Sequence, residues 1–270
     1  MTAPDQPFIR LRNVRKVYRS QGKEFLAVSD VTMDVQEGEL ISLVGPSGCG
    51  KTTVVKILAG LHDADGGTVQ IGNARTPFDP GRDIGMVFQQ PLLLKWRTIL
   101  DNVLLPAEIV GLPIKAARTR ARELLHLVGL AGHEDKYPQQ LSGGMQQRTA
   151  IARAFIHDPK LILMDEPFGA LDALTREQMN LEMLRIWRES GKTIIFVTHS
   201  IQEAVFLATH CAVLTSGPAR MAEYFPIDLP FPRALPIKTT DEFGAYARRI
   251  YESLGLGSGA PGTSETSIPS

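Results

Sequence analysis

The stretch GPSGCGKTT, Gly45 to Thr53, narrows the possible folds more than any other part of the chain. It fills every fixed position of GxxxxGK[ST] and directly follows the apolar run ISLVG (41–45). A loop of this kind works only between a strand and a helix. There its glycines let backbone amides wrap a β-phosphate, the Lys51 ammonium reaches the β/γ oxygens, and the Thr52 hydroxyl can ligate Mg²⁺. Gly45, Pro46, Ser47, Gly48, Cys49, Gly50, Lys51, Thr52 and Thr53 are therefore the candidate nucleotide-binding residues. Open α/β sheets hold ligands at the carboxyl ends of their strands, so such a sheet is the expected scaffold.

The pattern along the chain agrees. FIRLRNVRKVY (8–18), AVSDVTMDV (27–35), GTVQIG (67–72) and DIGMVFQ (83–89) are short β-type runs broken by turn signals such as EGE and DGG. From Pro91 to Pro159 the spacing turns helical: RTILDNVLLPAEIVGL and PIKAARTRARELLHLVGL each carry a terminating glycine, and LSGGMQQRTAIARAFI opens a third helix. LILMDEP (161–167) returns to strand, ALTREQMNLEMLRIWRES (173–190) is a long amphipathic helix, TIIFVTH (193–199) a buried strand and IQEAVFLA (201–208) a helix. Strands alternating with helices predict a parallel, doubly wound sheet. The expected main domain is 7–226, with the helical segment at about 91–159 inserted in it. A C-terminal extension (227–254) ends in a helix over 239–254, and GLGSGAPGTSETSIPS (255–270) is expected to be disordered.

Three strand ends carry chemistry. LILMDE drives its apolar residues inward and lets Asp165 and Glu166 emerge at the carboxyl end, on opposite sides of the strand. Asp165 suits a magnesium shell, and Glu166 suits orienting and polarising an attacking water. His199 ends TIIFVTH in the same way and Gln89 ends DIGMVFQ, each a candidate γ-phosphate contact; a histidine there also fits a satisfied structural role. Tyr18 fits either a platform for a base or ordinary strand packing.

LSGGMQQR, Leu141 to Arg148, adds a puzzle. Ser142 as N-cap and two glycines before a helix make a second anion site of free N–H groups at a positive dipole end. One nucleotide needs only one such loop.

Composition bounds the partners. Lys plus Arg number 29, as do Asp plus Glu, so the formal net charge is zero. A nucleic-acid binder usually carries a basic excess, and this balance argues against one. The two cysteines, Cys49 and Cys211, form no CxxC pair and no metal-ligand spacing. MTAPDQPFIRLRNVRK lacks a signal-peptide apolar stretch, and no run approaches the ~18 apolar residues of a spanning helix. The chain is expected to be soluble and to meet a membrane only through a partner.

Together these stretches resemble the ATP-binding cassette (ABC) ATPases, from about Phe8 to Arg220. LSGGMQQR is similar to that superfamily's signature motif, GPSGCGKT to its Walker A loop and LILMDE to its Walker B strand. By the same resemblance Gln89 is the Q-loop glutamine, Ala170-Leu171-Asp172 the D-loop, His199 the switch histidine and Tyr18 the adenine-stacking aromatic. The resemblance implies a P-loop α/β fold with an N-terminal antiparallel β-subdomain and an inserted helical subdomain. It implies ATP and Mg²⁺ as ligands. Glu166, His199 and Lys51 would then be catalytic, with Thr52, Gln89 and Asp165 around the metal. Cys49, near a helix N-terminus that favours a thiolate, is expected to react with a maleimide unless Mg-ATP protects it. The resemblance also implies an answer to the puzzle. Two cassettes of this superfamily pack head to tail, so Ser142, Gly143, Gly144 and Met145 would face ATP held by the other copy.

A narrower likeness is to the ATPase subunits of bacterial nitrate/sulfonate/taurine-type importers. LSGGM, LLLKWRTILDNVLLPAEI, and PFGALDALTREQM followed by VTHSIQEAVFLA carry it. It implies a homodimer, peripheral on the cytoplasmic face of the membrane, bound to integral-membrane permease subunits and served indirectly by an extracytoplasmic solute-binding protein. The surface after Gln89 would receive the permease's coupling helix, with Trp96 and Leu92 to Leu94 either as contacts or as ordinary subdomain core. Lys95 departs from a common proline, and SGPARM (216–221) from a common Pro-Gly-Arg stretch. A nucleic-acid or translation-associated cassette is the alternative that the neutral charge disfavours. A small-molecule kinase would leave LSGGMQQR unexplained.

Overall fold

A computed structural model of the chain describes residues 6–20, 22–73 and 76–256. Its first half contains β1 (Ile9–Ser20), β2 (Lys23–Val35), β3 (Leu40–Val44), α1 (Lys51–Leu58), β4 (Gly66–Ile71), α2 (Pro80–Asp83), β5 (Ile84–Val87), α3 (Ile99–Ile109) and α4 (Ile114–Leu127). Then come α5 (Gly143–Phe155), β6 (Leu161–Asp165), α6 (Ala173–Ser190), β7 (Thr193–Thr198), α7 (Ile201–Leu207), β8 (His210–Leu214), β9 (Ala219–Pro226) and α8 (Asp241–Ser253).

Among the described residues the strands form one nine-stranded sheet in the order β4-β1-β2-β9-β8-β3-β7-β6-β5. The run from β8 to β5 is parallel. The β1 strand pairs antiparallel with both β2 and β4, the expected antiparallel N-terminal part. Alternation along the central strands explains why they read as continuously apolar. Leu40 and Val44 of β3, Ile162 and Met164 of β6, and Ile194 and Phe196 of β7 enter one core with α3 to α7. Ile41 and Leu43, Leu161 and Leu163, and Ile195 and Val197 enter a second core with α1 and the N-terminal strands. A strand buried on both faces has no polar side to show.

The helices between β5 and β6 stop where glycine permits it. Gly111 (φ 73°) and Gly129 (φ 71°) follow α3 and α4 in the left-handed conformation that ends a helix with little strain. The α3 helix packs on α4 and α5, and α5 packs on β5. Side chains then wire this block to the segment after β5. Gln147 donates to the Phe88 carbonyl at 3.1 Å, and Arg153 donates to the Pro91 and Leu92 carbonyls at 2.7 and 2.9 Å. Asn102 donates to the carbonyls of Leu94, Arg97 and Thr98.

Two expectations need correction, and the β8–β9 hairpin is a feature the pattern does not announce, because HCAVL follows the helix IQEAVFLA with no punctuation. The strand in DIGMVFQ ends at Val87, so Gln89 sits beyond it in a bend. The last helix begins at Asp241, capped by Thr240, whose hydroxyl accepts from Phe243 N. Residues 257–270 of the expected disordered tail lie outside the described residues. Among the described residues no helix is long and apolar enough to cross a membrane.

Candidate nucleotide site

Strand register assembles the site. Val44 pairs with Thr198, Asp165 with Val197, and Val87 with Met164, so β3, β7, β6 and β5 end nearly level. The residues just beyond those ends are Gly45, His199, Glu166 and Phe88, with Gln89 next. Stretches far apart in sequence therefore meet along one sheet edge, where ligands of such sheets bind.

The Gly45–Gly50 loop spans β3 and α1. Gly50 takes φ 114°, and a Cβ there would lie 2.7 Å from the Ala27 carbonyl oxygen. At Gly45 a Cβ would lie 2.6 Å from the Leu214 carbonyl oxygen on β8. Both positions exclude any side chain. Lys51 is 4% exposed, and its ammonium donates to the Gly45 and Pro46 carbonyls at 2.8 and 2.9 Å. A cleft of about 450 Å³ opens over the loop, lined by Ser47, Gly48, Gly50, Lys51, Thr52, Thr53, Gln89, Asp165 and Glu166. Gly45, Pro46 and Cys49 do not line it.

The acids at the end of β6, Asp165 as its last residue and Glu166 just after it, both line this cleft. Burial pushes the Asp165 carboxyl above the usual carboxylate range and Glu166 adds to the push, while a hydrogen bond from Thr52 and the charges of Lys51 and Lys56 oppose it. Glu166 adopts φ 48°, a left-handed conformation that costs a non-glycine residue about 1–2 kcal/mol. Its N–H still donates to the Val197 carbonyl at 3.0 Å, so the turn is held by the neighbouring strand. This turn aims the carboxylate into the cleft. One oxygen lies 3.1 Å from His199 Nδ1 and the other 3.8 Å from Lys51 Nζ. Strain kept at a residue that touches two other functional groups is a mark of a working site.

Gln89 reaches the same place: a Cβ on Gly169 would lie 3.4 Å from its Nε2 and 3.8 Å from a Glu166 carboxylate oxygen. Tyr18 does not line the cleft. It is half-buried, its hydroxyl 3.5 Å from the Thr53 hydroxyl and its ring edge-on to His62 at 5.6 Å.

Ser142 caps α5 as its sequence predicts, accepting from Met145 N at 3.4 Å. Ser142 and Gly143 are exposed, and a Cβ on Gly143 would meet nothing. None of Ser142 to Met145 lines the cleft of this chain. Gly144 instead faces Thr175, which would be 2.9 Å from a Cβ there, and Leu171. The start of α5 thus sits beside Asp172, which caps α6 by accepting from Thr175 N at 3.0 Å.

The reactivity expected of Cys49 is corrected. Its side chain turns into the core at 2% exposure, and helix N-terminal position does not help a thiol that no reagent reaches. Cys211 is buried too, which pushes its thiol up to about 12. The native protein is expected to react with a maleimide at least on the order of tenfold more slowly than after unfolding. Timed labelling with mass analysis checks this; rapid modification of native Cys49 would contradict it.

A second concavity, about 450 Å³, runs between the end of α1, β5 and α3, and it is mainly apolar. Its lining includes Leu61 (60% exposed), Leu92 (56%) and Ile109 (75%), with Arg153 and His157 as basic groups. Leu92 was expected on such a surface; Leu61 and Ile109 were not. Trp96 is 76% exposed but outside this groove, Leu93 packs on the core, and Leu94 is also outside the groove.

Comparison with known proteins identifies the arrangement. The sequence pattern of the family described as ABC transporter matches residues 28–169. An ABC transporter ATP-binding protein of Methanocaldococcus jannaschii is 44% identical over 246 residues, covering 91% of each chain. The aliphatic sulfonates import ATP-binding protein of Bacillus licheniformis is 45% identical, over 84% of this chain and 86% of its own. The taurine import ATP-binding protein of Escherichia coli is 44% identical, over 75% of this chain and 79% of its own. A dimeric ATP-binding cassette solved in a post-hydrolysis state with ADP and Pi superimposes with TM-score 0.71 at 34% identity, covering 82% of this chain and all of that one.

Proposed function

The chain belongs to the ABC transporter family as an ATP-hydrolysing, ATP-binding subunit, and from that premise we propose that it drives solute import. Two copies, head to tail on the cytoplasmic face of a membrane, would power separate permease subunits that take solute from an extracytoplasmic binding protein. The solute class is sulfonate-, taurine- or nitrate-like, a reading supported by the sulfonate and taurine importers among its relatives.

At each site the Gly45–Gly50 amides and Lys51 receive the β- and γ-phosphates, the Lys51 ammonium leaving its own loop carbonyls to do so. Tyr18 flanks the base. Thr52, Asp165 and Gln89 offer hydroxyl, carboxylate and amide oxygens around one cleft, a hard-donor set that would hold Mg²⁺. When bound, that ion neutralises charge on the phosphates. Glu166 accepts the proton of the attacking water, and His199, at 3.1 Å, fixes the carboxylate's direction. Ser142, Gly143 and Gly144 supply the opposite copy's γ-phosphate with a hydroxyl and free N–H groups, and Met145, whose N–H goes to the Ser142 hydroxyl, flanks them. Asp172 stands beside them at the junction.

The observation that carries the importer reading is the exposed apolar groove. Leaving Leu61, Leu92 and Ile109 in water together is unfavourable, and covering a leucine-sized side chain returns about 1.5–3 kcal/mol. An amphipathic helix of a permease fits such a groove. With the permease co-expressed, Leu61→Asp and Ile109→Asp are each expected to weaken co-purification on the order of tenfold or more, since a carboxylate would be buried. ATP-driven uptake into vesicles should fall with it, while the purified subunit's hydrolysis stays within about twofold. Normal assembly and uptake in both variants would overturn this reading.

A further inference from the structure

Glu203 is a buried acid for which the site has so far no use. It is 5% exposed, in the first turn of α7, among the apolar residues Ile201, Ala204 and Val205. Its hydrogen-bond and ion-pair partners lead to the nucleotide site. One carboxylate oxygen accepts from the Thr198 hydroxyl at 2.6 Å, and that hydroxyl accepts from Ser200 N at 2.9 Å. Its own N–H donates to the Ser200 hydroxyl at 3.3 Å. Thr198 and Ser200 are the residues on either side of His199. The other carboxylate oxygen lies 3.6 Å from Arg176 Nε, and Arg176 donates through Nη2 to the Leu171 carbonyl at 3.0 Å. Leu171 immediately precedes Asp172.

Burying a carboxylate against one part-exposed guanidinium adds little stability, because desolvation offsets much of the attraction. Burial pushes the Glu203 carboxyl up, against the Thr198 hydrogen bond and the charge of Arg176, with lesser pulls from His199 and Lys238.

We propose that Glu203 and Arg176 form a positioning pair that locks the Leu171–Asp172 turn to both flanks of His199. The turn lies beside the signature residues that serve the other copy's nucleotide, whereas His199 touches the Glu166 of its own. The pair is therefore the connection through which a displacement at one nucleotide site reaches the histidine of the other. Neither residue touches nucleotide; each acts through the backbone it holds. This assignment rests on the composite-site reading above.

Steady-state hydrolysis by the full-length homodimer tests it. Glu203→Gln keeps the shape and an oxygen for Thr198 but removes the charge facing Arg176. Arg176→Met removes the fork from a part-exposed position, and the folded fraction of every variant is measured alongside. Each is expected to lower kcat about tenfold with KM for ATP within about twofold. Arg176→Lys should recover part of the loss, because the charge returns without the two-ended fork. The double variant should be no slower than the slower single one, as for residues that act as one unit. Losses that multiply in the double variant, unchanged kcat, or a raised KM alone would overturn the proposal. So would a loss matched by a fall in the folded fraction at the assay temperature. Glu166→Gln run in parallel separates the two claims. Retention of turnover there removes the proton-accepting role from Glu166, whereas loss there with normal Glu203→Gln and Arg176→Met sinks only the positioning pair.

Discussion

Glu166→Gln is expected to bind ATP as tightly as the parent and to hydrolyse it about 10²–10⁴-fold more slowly. The substitution is close to isosteric and leaves the left-handed turn no more strained, since glutamine and glutamate face the same Cβ clash at φ 48°. An amide at this place can still hydrogen-bond His199, 3.1 Å away, but it cannot take a proton from water. Binding should be spared because the proposed phosphate contacts come from the loop and Lys51, whose ammonium donates to carbonyls of its own loop. Equilibrium nucleotide binding and single-turnover hydrolysis on the same preparation check the two halves separately. Turnover near that of the parent would move the proton-accepting role to His199, the next group in reach.

Several parts of this site were legible in the sequence because they follow buried strands. LISLV, LILM and TIIFV are buried on both faces, so they read as largely apolar runs, and the loop or polar residues that follow them mark the ligand edge. Ser142 announced its helix by the N-cap rule, and Gly111 and Gly129 closed theirs by tolerating positive φ.

What was not legible depends on direction and on long-range meeting. Cys49 occupies a loop whose neighbours Gly48 and Gly50 take positive φ; sequence position does not say which way such a backbone turns the one side chain between them. It turns inward. HCAVL has strand composition but no turn residue in front of it, and its partner strand follows only after SGP. The groove joins Leu61, Leu92 and Ile109 from three separate segments, each of which alone is an ordinary exposed apolar residue. Glu203 left one trace, an acid among the apolar positions of a short helix, but Arg176 gives no sign of being its partner.

The second large effect concerns the two anion sites. Lys51→Ala removes a copy's own phosphate contact, and Ser142→Arg fills the exposed N-terminus of α5 with a bulky cation. If signature and phosphate loop from different copies share one nucleotide, every site in either pure homodimer has one damaged half. Both variants should then hydrolyse ATP on the order of 10²-fold or more slowly than the parent, a loss typical of deleting a donor to developing charge. Mixing them changes the arithmetic. A dimer of one Lys51→Ala copy and one Ser142→Arg copy gathers both lesions at one site and leaves the other with an intact loop and an intact signature. That Ser142 to Met145 are absent from the lining of their own chain's cleft is the geometric reason to expect this.

The most direct measurement is ATP occluded per mixed dimer, with dimers isolated by two different affinity tags and hydrolysis followed alongside. A shared site predicts close to one trapped nucleotide per mixed dimer, well above either parent variant, with hydrolysis recovering to at most a fraction of the wild-type rate. No trapped nucleotide above the pure variants, in dimers shown to be mixed, would mean that each signature serves its own chain and would contradict the composite site.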